Sequence, residues 1–182
     1  MMGVPLVIHG GWPIVAIGLL SVAMGYAYTS GPYPLAYKGL GDLFVILFFG
    51  LMAVGGMYYL LTGTYNTSAI ILGLQMGCLS TVLIAINNLR DIHQDQLVNK
   101  KTLAVRLGVM PAKLWICFLI VAPFLVGYYW LFQNLLYFYF LPMLTFPLGL
   151  SIIKRILRTP PSAEYNRFLA MSSAYALLFS IL

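Results

Sequence analysis

Six apolar runs, broken by three charged loops, constrain this chain more than any single motif does. The runs cover residues 12–28, 43–61, 69–86, 114–132, 136–153 and 168–182. Most approach the ~20 residues that a helix needs to cross a bilayer. Backbone amides have no water to bond in hydrocarbon, so a spanning run of this kind closes its hydrogen bonds within itself as a helix. The last run is short unless its helix begins near Tyr165. Charged residues make up 8% of the chain against 62% hydrophobic ones, where a soluble domain carries roughly 25% charged residues. The expected fold is therefore an all-α membrane protein, a multi-span transmembrane helical bundle of about six helices that forms one domain over residues 1–182. The uncharged opening, residues 1–11, has no basic segment and no small-residue cleavage site, so it does not read as a signal peptide. Cys78 and Cys117 lie inside apolar runs and read as buried thiols used for packing.

Charge then sets an orientation. Lys38 and Asp42 fall between the first and second runs, Arg90 to Lys113 between the third and fourth, and Lys154, Arg155, Arg158, Glu164 and Arg167 between the fifth and sixth. These loops alternate with loops that carry no charge, so all the charges share one membrane face. Lysine and arginine mark the cytoplasmic side, which puts both chain ends outside. The net charge of +6 is explained by that rule, and no nucleic-acid partner is expected.

One stretch concentrates the chemistry. Asn87-Asn88-Leu89-Arg90-Asp91-Ile92-His93-Gln94-Asp95 holds two of the four carboxylates, and five of the ten basic residues lie from Arg90 to Lys113. If this stretch is helical, Asn87, Asp91 and Asp95 recur every four residues and drift by only ~40° per step, so their side chains share a face. Two carboxylates and an amide oxygen are hard ligands of the kind Mg²⁺ takes when phosphate oxygens complete its shell. Lys100, Lys101 and Arg106 are placed to hold the anion. A solvated polar loop between two membrane helices is the plainer alternative. His93 lies about 200° from Asp91 on that helix, which argues against a ligand role.

A second polar stretch, Gly31-Pro32-Tyr33-Pro34-Leu35-Ala36-Tyr37-Lys38-Gly39-Leu40-Gly41-Asp42, reads as a structured turn on the charged face. It puts Tyr33, Tyr37 and Lys38 within reach of the Asp91/Asp95 stretch. Lys38 also reads as a positive-inside anchor, and Asp42 as a helix N-cap. Inside the runs, Gly73-x-x-x-Gly77 with Gly50, Gly55 and Gly56 reads as small-residue faces for close helix approach. Gln75, Ser80 and Thr81 suit either helix–helix hydrogen bonds or a cavity wall. Tyr128, Tyr129, Tyr137 and Tyr139 read as an interfacial belt first, with a lipid-tail tunnel as the alternative.

The Asn-Asn-x-Arg-Asp-x-x-x-Asp stretch, followed by Lys100-Lys101-Thr102-Leu103-Ala104-Val105-Arg106-Leu107-Gly108, resembles the second Asp-rich motif of the UbiA-type intramembrane prenyltransferases. The 31–42 loop is most similar to the branch acting on 1,4-dihydroxy-2-naphthoate in menaquinone biosynthesis. The family has nine transmembrane helices and two Asp-rich motifs, so the resemblance implies helices four to nine here, with an N-terminal half carrying the first motif. It further implies Mg²⁺ held by Asp91, Asp95 and Asn87. The diphosphate of a polyprenyl diphosphate would be bound by Lys38, Arg90, Lys101, Arg106, Tyr33 and Tyr37. The implied reaction prenylates 1,4-dihydroxy-2-naphthoate, with loss of diphosphate and CO₂, to give demethylmenaquinone at the cytoplasmic face of the plasma (inner) membrane. With one motif present, the chain alone is expected to be inactive. The alternatives are a sister enzyme acting on 4-hydroxybenzoate, homogentisate or haem, and a transporter or non-catalytic membrane subunit. A transporter places its polar groups near the midplane, whereas here they gather at one rim.

Overall fold

The computed structural model describes residues 3–29 and 34–182, and those residues are helical throughout apart from short turns. Helix α1 (Gly3–Thr29) is interrupted at Gly11, whose φ of 63° is left-handed, just ahead of Pro13. Helicity thus extends into the opening residues, which the hydropathy pattern left outside the first span. A 3₁₀ turn (Leu35–Lys38) leads through left-handed Gly39 into α2 (Gly41–Val45). The same span continues through a π-helical stretch (Ile46–Met52) into α3 (Ala53–Thr62). Helix α4 (Thr67–Arg90) is capped by Asn66, whose side chain accepts the Ser68 N–H at 2.8 Å. Two short helices, α5 (Ile92–Leu97) and α6 (Leu103–Leu107), precede α7 (Val109–Phe132). The chain ends with α8 (Leu136–Met143), α9 (Phe146–Arg158) and α10 (Tyr165–Ile181).

All six apolar runs are helical, but not as six equal rods. Among the described residues four helices are long and apolar enough to cross a membrane, and α8 with α9 meets the same test as a pair bent by 45°. The bend follows from proline chemistry. Pro147 sits at the start of α9 and has no N–H to offer a carbonyl one turn earlier, so the ladder cannot run through. The Thr145 hydroxyl answers part of the deficit by donating to the Pro142 carbonyl at 2.7 Å. Helix α10 starts at Tyr165 and has 17 residues. It buries Tyr165, Phe168, Ser172, Tyr175 and Phe179, a three-four spacing that keeps one stripe facing inward.

Helix α4 is the hub. It packs against the Gly41–Thr62 span, α7 and α10, and its Leu79, Val82, Ile86 and Leu89 are fully buried with Ile116, Ile120, Ile152 and Phe168. Glycines set the closest approach. A Cβ on Gly50 would collide with the Gly73 carbonyl and stand 2.7 Å from Gly77 Cα, so the α4–π-stretch interface requires hydrogen there. Gly55 has nothing within 4 Å, which corrects its reading as a packing face, whereas Gly56 is buried with Ile17 of α1 at 3.8 Å. Gln75 donates to the Pro123 carbonyl at 2.8 Å and accepts from Trp130 Nε1 at 3.0 Å. It therefore joins α4 to α7 by hydrogen bonds. The Thr81 hydroxyl donates within its own helix to Gly77 at 2.7 Å. Tyr128 meets Tyr139, and Trp130 meets Phe138, as tilted ring pairs beside the turn after α7. Tyr129 OH meets Ser68 Oγ at 3.1 Å in the same region, an end-of-bundle position that fits a belt.

Candidate functional site

The three charged loops meet at the opposite end of the bundle. The Lys101 N–H donates to the Tyr37 carbonyl at 3.1 Å, joining the second charged loop to the first. Arg90 reaches the third, where Asn166 Oδ1 accepts from its Nη1. Lys113, buried at the start of α7, donates to the carbonyls of Leu157 (3.2 Å) and Thr159 (2.8 Å) at the C-terminus of α9. A cation there also meets the negative end of the helix dipole. The three charged loops thus touch one another directly at one end of the bundle.

Within this cap, α4 does not run on through the acidic stretch. It stops at Arg90, and Asp91 has φ −93° and ψ 11° before α5 resumes at Ile92. The bonds Asp91 N–H to Asn87 O (3.1 Å) and Asp95 N–H to Asp91 O (2.8 Å) survive the break, but the side chains divide. Arg90 clamps Asp91 with two prongs, Nε to Oδ1 and Nη2 to Oδ2, both 2.7 Å. The same Nη2 lies 2.8 Å from Asn87 Oδ1, so oxygens of Asn87 and Asp91 converge on one cationic nitrogen. Asp95 is buried and is held instead by Lys100, at 3.0 and 3.2 Å. The Asp91 carboxyl is held below its usual range, mainly by the Arg90 hydrogen bonds, with the Lys100 charge adding to the effect.

Tyr37, Lys38, Lys101 and Arg106 are exposed and form the neighbouring part of the cap. Arg106 Nε donates to the Lys101 carbonyl at 3.3 Å and packs over Gly39, where a Cβ would meet its Cδ at 2.8 Å. Tyr33 lies outside the described residues. His93 shares a cleft of about 330 Å³ with Arg90, Asp91, Gln94, Ser162 and Asn166. Its place there follows from Arg90, three residues earlier, which shares its helix face. Asp42 is also not an N-cap. Its carboxylate is 3% exposed and accepts from Trp115 Nε1 at 2.7 Å, tying α2 to α7. Beside this end, an apolar cavity of about 540 Å³ opens between α1 and the Gly41–Thr62 span, lined by Met24, Tyr28, Phe44, Phe48, Ala53 and Ile84.

Asn166, Lys113 and Trp115 were not singled out by sequence reasoning. Asn166 lies 76 residues from Arg90, and nothing in the local pattern around it marks a partner. Trp115 carried a faint signal, as an indole N–H in an apolar run that needs an acceptor when buried.

The donor chemistry suits a divalent cation. Asn87 and Asp91 already aim hard oxygens at one positive centre, while the Asp95 carboxylate one turn on is turned to Lys100. Among the described residues no three His, Cys, Asp or Glu side chains cluster, so an ion here would take the rest of its shell from water or a bound anion.

Fold and site together define a multi-span membrane protein with an acidic and basic cap at one end of an apolar bundle. A family model described as "UbiA prenyltransferase family" matches residues 1–177, and the chain belongs to that family. It is 43% identical over 104 residues to the 1,4-dihydroxy-2-naphthoate octaprenyltransferase of Haemophilus influenzae, covering 57% of this chain and 34% of the relative. The enzyme of the same name from Bacillus subtilis is 33% identical over 130 residues, 71% of this chain and 40% of the relative. That of Escherichia coli is 42% identical over 97 residues, 53% of this chain and 32% of the relative. The match thus spans about a third to two fifths of these relatives. No solved structure matches the chain.

Proposed function

We propose that this chain is the part of an aromatic prenyltransferase that carries the second Asp-rich motif, and that the whole enzyme transfers a polyprenyl group to 1,4-dihydroxy-2-naphthoate. The observation that carries the reading is the convergence of Asn87 and Asp91 oxygens on a single cationic position in the polar cap. The relatives' names supply the acceptor.

Asn87, Asp91 and Asp95 would hold Mg²⁺, which supplies charge neutralisation to the departing diphosphate. Lys38, Lys101 and Arg106, with Arg90 and the hydroxyls of Tyr33 and Tyr37, bind the diphosphate oxygens as donors. These fixed cations stabilise the charge that builds as the allylic C–O bond breaks and its electron pair leaves with diphosphate. The apolar cavity beside Phe44 and Phe48 takes the isoprenoid tail and keeps water from the allylic cation. A ring carbon of the naphthoate bonds to that cation, and the carboxylate leaves as CO₂. No oxidant is consumed, so the product leaves at the hydroquinone level and becomes demethylmenaquinone on later oxidation. By the positive-inside rule the cap faces the cytoplasm, in the plasma (inner) membrane of a bacterium.

The test is a prenyl-transfer assay in membranes with Mg²⁺, an all-trans polyprenyl diphosphate and 1,4-dihydroxy-2-naphthoate. The chain is assayed alone and then with the N-terminal half of a relative. Product is expected only in the complemented sample, and Asp91→Asn is expected to lower it by at least 10²-fold, about the cost of losing one transition-state stabiliser. Product from the chain alone overturns the need for a second motif. A complemented sample without product overturns the acceptor.

A further inference from the structure

We propose that Arg90 is a resident counter-cation, occupying the divalent-ion position between Asn87 and Asp91 and anchored there by Asn166, so that metal enters only as the guanidinium swings out. The inference rests on the metal reading above and adds to it the group that metal must displace.

All three guanidinium nitrogens of Arg90 are engaged. Nε and Nη2 take both Asp91 oxygens, Nη2 also takes Asn87 Oδ1, and Nη1 is gripped by Asn166 Oδ1 from α10. The oxygens that suit a divalent ion are therefore spent on a fixed positive charge. An ion bound to them at the 2.0–2.1 Å typical of Mg²⁺ would stand against that charge within the same few ångströms, and both cannot stay. The guanidinium has somewhere to go, because the cleft between the acidic stretch and the turn at Ser162–Asn166 lies directly beside it. Swung into that cleft, Arg90 presents unpaired donors to an anion. Metal and anion then favour the same position of one side chain, and each strengthens the binding of the other by the reciprocity of linkage. Asn166 is a positioning residue here, setting how firmly the clamp is held.

The experiment measures Mn²⁺ affinity by electron paramagnetic resonance, with the full chain in lipid nanodiscs and no substrate present. Arg90→Gln is expected to bind Mn²⁺ about tenfold more tightly than the unaltered chain, since it frees two charge-assisted bonds. Asn166→Ala is expected to tighten binding by roughly threefold, and Arg90→Lys, which keeps the charge without the fork, to fall between the unaltered chain and Arg90→Gln. Asp91→Asn is expected to weaken binding at least tenfold. Melting temperatures of the same samples identify any variant that has unfolded, and Arg90→Lys is the conservative member that keeps the series readable. If Arg90→Gln binds no more tightly while Asp91→Asn weakens binding, the counter-cation role is wrong and the metal site stands. If Asp91→Asn leaves affinity unchanged, both are wrong.

Discussion

Arg90 holds the Asp91 carboxyl below the usual carboxylate range, first through its two-pronged hydrogen bond and then through its charge, with Lys100 adding to the effect. A depressed folded pKa means that the pair's stabilisation is complete above the unfolded value, about 3.9, and is lost as pH falls through the folded one. Melting curves of the unaltered chain and Asp91→Asn should therefore differ by a constant amount from pH 7 to pH 5 and converge below about pH 4. The gap should be small and shrink with salt, because both side chains are 25% exposed. Lys113 makes a different case at the same scale. It is 6% exposed and its partners are carbonyls, with no carboxylate among them. Lys113→Met keeps the length of the side chain and removes the donor, leaving the Leu157 carbonyl without it while Tyr165 still serves Thr159. The expected loss is about 1–3 kcal/mol, read as a lower melting temperature in detergent.

Single helices divide sharply in how much of them the amino-acid order reveals. The long apolar runs were legible because bilayer thickness sets a length that composition alone can meet. The bend at 144–145 was not, because Pro142 and Pro147 each look tolerable in a membrane helix and only their combination with Thr145 decides where the ladder parts. The acidic stretch was legible in its residues but not in its directions. A three-residue stripe assumes an unbroken helix, and Asp91 departs from one, so Asn87 and Asp91 share a partner that Asp95 does not. Glycines show the same limit. Gly50 and Gly55 are alike in sequence context, yet only Gly50 faces another backbone. Gly50→Ala should destabilise the chain by more than about 1 kcal/mol, since the obstacle is backbone that cannot repack. Gly55→Ala should be neutral or stabilising by up to about 1 kcal/mol, the usual helical preference for alanine. Comparing their melting temperatures checks both.

For the whole molecule, the distribution of charge makes a statement about sidedness that helix packing supports. The cap joins Tyr37, Lys101, Arg90, Asn166 and Lys113 at one end, while the turn at Gln133–Leu135 carries no charge at the other. With Cys78 and Cys117 replaced by alanine, Val98→Cys and Gln133→Cys report the two ends, both positions being exposed. An impermeant maleimide should label Val98→Cys only in inverted vesicles and Gln133→Cys only in right-side-out ones. The reverse pattern would put the cap outside the cell and remove its access to cytoplasmic substrates.

Gln75 has a mechanical consequence. Its amide is satisfied at both ends by α7, at Pro123 and Trp130, between the first half of α4 and the second half of α7. Gly127 gives it room, since a Cβ there would stand 3.0 Å from its Nε2. Sliding α4 by one helical turn, ~5.4 Å, would strand that amide in hydrocarbon with no water to replace its partners. The two helices are keyed together at this point. A piston stroke of α4 along α7 costs both of these hydrogen bonds at once, so the register of the two helices is held by a single side chain.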